Sequence, residues 1–293
     1  MNTDKATEWR REYPFAENYL PVGAGLRLHY VDHGQGTPVV LLHGNPTWSF
    51  FYRHLIQGLS GSGHRAIAPD HIGCGLSDKP RDYSYRLRDH IDNLEQLIGQ
   101  LDLPPLDLVV HDWGGAVGMG WAVRHPQLVR RIVVLNSAAF LAPECPRRIR
   151  ICRWPLIGPL MVRGANGFAR GALRMAVERH RNLTAAARQG YLAPYNNYRN
   201  RIAILRFVQD IPLSPKHPTW QTMQEIQEGL ENLRGKPMLI CWGMRDFCFT
   251  PSFLERWLEY FPEANVHRFS QAGHYLLEDE REGILPLVEN FLA

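Results

Sequence analysis

Asp112 follows an apolar run, Leu106-Asp107-Leu108-Val109-Val110, and precedes a glycine- and alanine-rich stretch from Gly114 to Val123. The run reads as a buried strand and the stretch as a helix, which places the carboxylate on a sharp turn between them. A carboxylate there can displace a leaving group from carbon and be regenerated when the resulting ester is cleaved. Two more features follow strand-like segments. His43-Gly44-Asn45-Pro46 forms a loop able to point a backbone amide at developing negative charge, and Gly273-His274 supplies an imidazole suited to act as general base. Such a base needs an orienting carboxylate. Asp246, in Trp242-Gly243-Met244-Arg245-Asp246, lies between nucleophile and histidine in chain order.

Taken singly, each residue also has a structural reading. Asp112 and Asp246 can cap helices, His274 can sit in a core, Asn45 can serve the turn before Pro46, and Trp113 can be packing. Their coincidence at three strand ends, in the order nucleophile, acid, base, favours chemistry. Val110 stands where a G-x-nucleophile-x-G elbow has its first glycine.

The elements that must carry these residues alternate. Strand-like segments occur at Leu26 to Val31, Pro38 to Leu42, Ala66 to Pro69, Leu106 to Val110, Ile132 to Leu135, Pro237 to Trp242 and Asn265 to Phe269. Helical stretches separate most of them, including Tyr85 to Leu101, Gly114 to Arg124, Ser252 to Tyr260 and Gly283 to Phe291. This predicts an α/β fold with a mostly parallel sheet and helices on both faces. The short link between the first two segments predicts an antiparallel pair. From about Phe140 to Leu233 the alternation stops, and arginines, aromatics and prolines take over with helical spacing. We expect a core of residues 1–140 and 234–293, with a helical cap, 141–233, inserted after the strand at Ile132 to Leu135.

The chain of 293 residues, 45% of them apolar, can fill one such core. Its five cysteines are odd in number and lack metal-ligand spacing, which points to a reducing compartment, the cytoplasm by default. Neither a leader-like start nor an apolar run of membrane-spanning length is expected. Net charge is +4, yet residues 141–215 hold 13 arginines and no lysine against Glu144, Glu178 and Asp210. This is either a solvated helical surface or a basic face for an acidic partner or a membrane surface. No nucleic-acid motif lies within it. No metal or organic cofactor is implied, and Gly73-Cys74-Gly75 relieves a tight loop rather than cradling phosphate.

His43-Gly44-Asn45-Pro46-Thr47-Trp48, Pro69-Asp70-His71-Ile72-Gly73, His111-Asp112-Trp113-Gly114-Gly115 and Gly273-His274 together resemble the haloalkane dehalogenases. The likeness runs from about Pro14 to the C-terminus and implies an α/β-hydrolase fold with an eight-stranded sheet. It implies that Trp113 and Asn45 hold the departing halide. The Asn plus Trp pair looks like the family's third subfamily, which also includes the β-lactone decarboxylases of olefin biosynthesis. Asn136-Ser137-Ala138-Ala139 offers no carboxylate, which leaves Asp246 as the acid and Glu144 a distant substitute. Tyr191-Leu192-Ala193-Pro194-Tyr195 resembles the subfamily's cap. Trp154, Phe168, Phe207 and Pro212 are the expected pocket residues.

The leading expectation is hydrolytic dehalogenation of haloalkanes. Asp112 attacks the carbon, halide leaves toward Asn45 and Trp113, and His274, oriented by Asp246, activates water to cleave the alkyl ester. The backbone N–H groups of Asn45 and Trp113 would hold the oxyanion. The alternative is a β-lactone decarboxylase that uses the same nucleophile to release carbon dioxide and a long-chain alkene. An epoxide hydrolase, with Tyr191 and Tyr195 as proton donors, leaves Asn45 and Trp113 without a task. A degenerate hydrolase serving as a binding module or assembly partner is the non-enzymatic reading, and an oligomer fits any of these.

Overall fold

The computed structural model describes residues 5–293. Eight strands form one sheet: β1 (Asn18–Val22), β2 (Leu26–Gly34), β3 (Thr37–Leu42), β4 (His64–Pro69), β5 (Leu106–Asp112), β6 (Val129–Ser137), β7 (Met238–Gly243) and β8 (Asn265–Phe269). Their spatial order is β1-β2-β4-β3-β5-β6-β7-β8. From β4 to β8 all neighbours are parallel, and the central strands are buried along their whole length. Runs such as Val39-Val40-Leu41-Leu42 suit that position, because helices cover both faces of a parallel sheet and no side of the strand meets water.

Two expectations change here. β2 and β3 do run in opposite directions, but they are not partners; β4 lies between them, pairing antiparallel with β2 and parallel with β3. The short link thus crosses over a strand instead of closing a hairpin. The eighth strand, β1, contains Pro21 and pairs only with β2 at the sheet edge, where a missing N–H is tolerated.

Helices α1 (Arg53–Gly61), α2 (Leu87–Gln100) and α3 (Trp113–Ala122) precede β6. Leu87, Ile91, Leu94, Leu97 and Ile98 put one buried stripe on α2, at the spacing of a helix packed against a sheet. Between β6 and β7 the chain adds no strand. It forms α4 (Arg147–Ile151), a π-helical turn (Pro159–Gly164), α5 (Gly167–Met175), α6 (Ala185–Leu192), α7 (Ile202–Gln209) and α8 (Trp220–Gly229). After β7 come α9 (Pro251–Tyr260), α10 (Leu276–Asp279) and α11 (Arg281–Leu292). No described helix is long and apolar enough to cross a membrane.

A buried ion pair ties these helices to the core. Arg53 of α1 donates to both carboxylate oxygens of Glu278, at 2.5 and 3.0 Å, and Tyr191 of α6 donates its hydroxyl to the same carboxylate at 2.6 Å.

Candidate active site

The chain turns from β5 into α3 at Asp112 with φ +50° and ψ −126°, a conformation in which a non-glycine side chain is strained. Neighbours hold it there. The Ser137 hydroxyl donates to the Asp112 carbonyl at 2.5 Å, and the backbone of Asn45 donates to Asp112 Oδ1 at 2.6 Å. The Asp112 side chain makes no capping bond to α3, so its helix-capping reading fails on geometry. Val110 causes no obstruction, because Gly118 of α3 faces it; a Cβ there would lie 2.7 Å from Val110 Cγ1. Gly44 is needed for a similar reason, since a Cβ at that position would run into the Asp112 carboxylate.

His274 lies between two carboxylates. Its Nδ1 donates to Asp246 Oδ2 at 2.7 Å, and its Nε2 faces Asp112 Oδ2 at 3.4 Å. Asp246 Oδ1 accepts from the backbone of Cys248 at 2.7 Å and of Phe249 at 3.1 Å. Phe249 stacks on the His274 ring at 5.6 Å. Burial opposes a charge on His274, but Asp246 and then Asp112 outweigh it, and the imidazole pKa rises to about 10. Burial likewise pushes the Asp112 carboxyl up, while the hydrogen bond and charge of His274, with the Asn45 N–H, bring it below its ordinary value. The resting site therefore holds an imidazolium between two carboxylates.

Asn136, which the sequence reading passed over except as a missing carboxylate, completes this group. In the β5–β6 register His111 pairs with Leu135 and Asp112 with Ser137, so Asn136 is the extra residue of a bulge, at φ +31°. The bulge turns its amide toward β7, where Nδ2 donates to Asp246 Oδ2 at 3.0 Å and Oδ1 accepts from the Gly243 backbone at 2.7 Å. A bulge depends on the pairing of two strands, and no local pattern announces it. Asp70 is a second missed residue: it accepts from Ser49 N, Leu76 N and His29 Nδ1 at 2.7 to 2.8 Å, gathering three segments beneath the His43 loop. His111, the neighbour of Asp112, bonds the His274 carbonyl at 2.9 Å, and burial and then the His274 charge push its pKa down to about 3, leaving it neutral.

A cavity of about 420 Å³ opens above Asp112. Asn45, Asp112, Trp113 and His274 line its floor, while Phe168, Pro212, Ile149 and Val208 are among its apolar walls. Phe168 and Pro212 thus lie where expected. Trp154 does not: it is 56% exposed on the surface. Phe207 is fully buried behind Trp113, its ring 5.4 Å from the indole and stacked on His90. Glu144 lines the cavity without reaching His274, whose Nδ1 is taken by Asp246. Trp113 Nε1 meets no acceptor among the described residues and borders the cavity. Asn45 Nδ2 donates to the Ile204 carbonyl of α7 at 3.2 Å, which leaves its second N–H available. The two tyrosines point elsewhere. Tyr191 is engaged by Glu278 and Tyr195 donates to the Thr47 carbonyl at 3.2 Å, so neither offers a proton to the cavity and the epoxide reading loses its acid.

A buried nucleophilic carboxylate at a strand-to-helix elbow, with acid and histidine on later strand ends, defines an α/β-hydrolase. The alpha/beta hydrolase fold family matches residues 37–281, and the chain belongs to it. It is 45% identical to a cis-3-alkyl-4-alkyloxetan-2-one decarboxylase of Shewanella oneidensis, over 96% of this chain and 89% of that one. A decarboxylase of the same name from Xanthomonas campestris is 42% identical, with 96% and 97% covered. A haloalkane dehalogenase of Mycolicibacterium paratuberculosis is 36% identical, covering 94% and 92%. Among solved structures, haloalkane dehalogenase DbeA from Bradyrhizobium elkani superposes with a TM-score of 0.86 at 27% identity, covering 95% of this chain and 97% of that one. The dehalogenase DatA from Agrobacterium tumefaciens gives 0.84 at 28%, covering 94% and 96%. The chain is an enzyme of this family, which sets aside the binding-module reading.

Proposed function

We propose that the protein decarboxylates β-lactones carrying two alkyl chains, with Asp112 as nucleophile, His274 and Asp246 as its charge partners, and Asn45 and Trp113 as donors to the leaving anion. The observation that carries this reading is the 45% identity to the Shewanella decarboxylase along nearly the whole chain. An apolar cavity ending at a single carboxylate suits a substrate of two hydrocarbon chains around one polar ring. In this scheme residues 141–233 act as the cap of a core formed by 1–140 and 234–293. A cytoplasmic location is supported by five cysteines that are all unpaired.

Asp112 Oδ1 is held by the Asn45 N–H, so Oδ2 attacks. The bond from Oδ2 to the ring carbon bearing oxygen forms as the ring C–O bond breaks, with inversion. The freed carboxylate takes the Trp113 indole N–H and the second Asn45 amide N–H. It then leaves as carbon dioxide: the C–C bond to it breaks, its electron pair becomes the alkene, and the ester C–O bond breaks to restore Asp112. Inversion followed by anti elimination keeps the alkyl chains on one side, so a cis lactone gives a cis alkene. Water takes no part. His274 stays protonated between its carboxylates and balances the charge that leaves Asp112 and returns to it.

Hydrolytic dehalogenation is the second reading, favoured by the 36% identity and the structural neighbours. There Oδ2 displaces halide, and esterification neutralises Asp112. With one of its two carboxylates gone, His274 gives up its proton more readily and can activate water. Parallel assays separate the readings: alkene from a cis-dialkyl β-lactone, and bromide from a terminal bromoalkane. We expect kcat/KM for the lactone to exceed that for the bromoalkane by about 10²-fold or more, a difference of about 2.7 kcal/mol in barrier. Faster bromide release reverses the order.

A further inference from the structure

Of the eight large apolar side chains exposed among the described residues, seven lie between Ile151 and Tyr198. Leu156 is 86% exposed, Leu160 71% and Trp154 56%. Three others, Ile151, Met161 and Met175, are exposed and also line the cavity above Asp112, so the apolar patch forms the rim of its mouth. One π-helical turn joins this rim to a second feature. On it Leu160 faces solvent, Met161 lines the cavity, and Arg163 lines a separate groove with Lys79, Arg81, Arg199 and Arg206 against the lone acid Asp82. The Arg163 guanidinium sits 4.0 Å over the Tyr198 ring, which is itself half exposed. Arg147, Arg148 and Arg150 stand on α4 just before Ile151, all exposed or nearly so. The ion pairs that reach this region use Arg86 with Asp210, Arg179 with Glu280 and Arg245 with Glu178, and none engages an arginine between 147 and 174.

We propose that this face seats on the surface of an anionic lipid bilayer, with the cavity mouth against the acyl layer. Bulky apolar side chains ringed by unpaired arginines match an interface in which hydrocarbon lies beneath a layer of phosphates. Guanidinium forks bind phosphate oxygens in pairs, and the surplus of arginine over acid in 141–215 gives attraction at longer range. An apolar substrate then passes from acyl layer to cavity without crossing water. The inference holds whichever of the two reactions the site performs, because it concerns entry and not bond making.

The test is co-sedimentation of the full chain with phosphatidylcholine vesicles with or without phosphatidylglycerol, at low and high salt. We expect binding to the anionic vesicles only, weakening as salt rises. The Leu156→Glu/Leu160→Glu variant and, separately, the Arg147→Glu/Arg150→Glu variant should each lower it about tenfold or more. These side chains are exposed, so both variants should keep the wild-type melting temperature and turnover of a short, water-soluble substrate within about twofold. Absence of binding to anionic vesicles overturns the proposal. So does equal binding by the variants, or self-association in ultracentrifugation that the same substitutions abolish, which would make the patch a contact between copies.

Discussion

Asn136 Nδ2 and His274 Nδ1 both donate to one oxygen of Asp246, Oδ2, at 3.0 and 2.7 Å. Asn136 thereby aims the acid at the histidine without touching the cavity, and it is a positioning residue. Asn136→Ala removes one hydrogen bond to a charged group. At about 1.5 to 3 kcal/mol for such a bond, kcat should fall about 10- to 100-fold. KM should stay within about twofold, because the cavity wall is unaltered. A rise in KM at unchanged kcat contradicts the positioning role.

His274→Phe separates the two chemistries. With a bromoalkane, Asp112 should alkylate and stay alkylated, visible as added mass on the intact protein, because no base remains to activate water. With a β-lactone the ester is relieved by loss of carbon dioxide, and no lasting adduct should build up. A stable adduct from both substrates would show that the lactone ester also waits for hydrolysis.

Trp113→Phe keeps an aromatic ring against Phe207 and deletes the indole N–H. If that N–H receives the leaving anion, turnover should drop roughly 10²-fold, the usual loss for one preorganised donor. Chloride substrates should lose more than iodide in a parallel series, since the poorer leaving group leans harder on the donor. Rates within about threefold of wild type would return Trp113 to packing.

Stability should depend on pH through His274. An unfolded histidine releases its proton near 6.5 and the folded one near 10, so between these values the folded chain holds a proton that the unfolded chain lacks. The stabilisation is complete below about 6.5 and is lost as pH rises through about 10. Thermal unfolding from pH 7 to 10 should lower Tm more in wild type than in His274→Gln. Parallel curves would mean that the imidazole is neutral at rest.

Tyr191→Phe tests the hydroxyl that donates to Glu278. Loss of that bond, with the carboxylate still held by Arg53, should cost about 1 to 2 kcal/mol of stability and leave kcat within about twofold. A large fall in kcat at unchanged Tm would restore the tyrosine as a proton donor.

The elbow at Asp112, the loop at Asn45 and the histidine at 274 were legible from the chain itself. Each follows a continuous apolar run, and in a parallel sheet such runs end on the same edge, so local pattern and chain order suffice to bring those residues near one another. The strand order was not legible: the insertion of β4 between β2 and β3 is settled by where β4 pairs, and a short connection says nothing of that. Asn136 escaped for a related reason. Its orientation comes from a bulge that exists only once β5 and β6 are in register. In the region between β6 and β7 composition predicted helices and aromatics but not their facing, and a helix may turn the same ring inward or outward with no change in sequence. Packing therefore put Phe168 on the cavity wall, Phe207 behind Trp113 and Trp154 in solvent, and it spent the hydroxyls of Tyr191 and Tyr195 on distant partners.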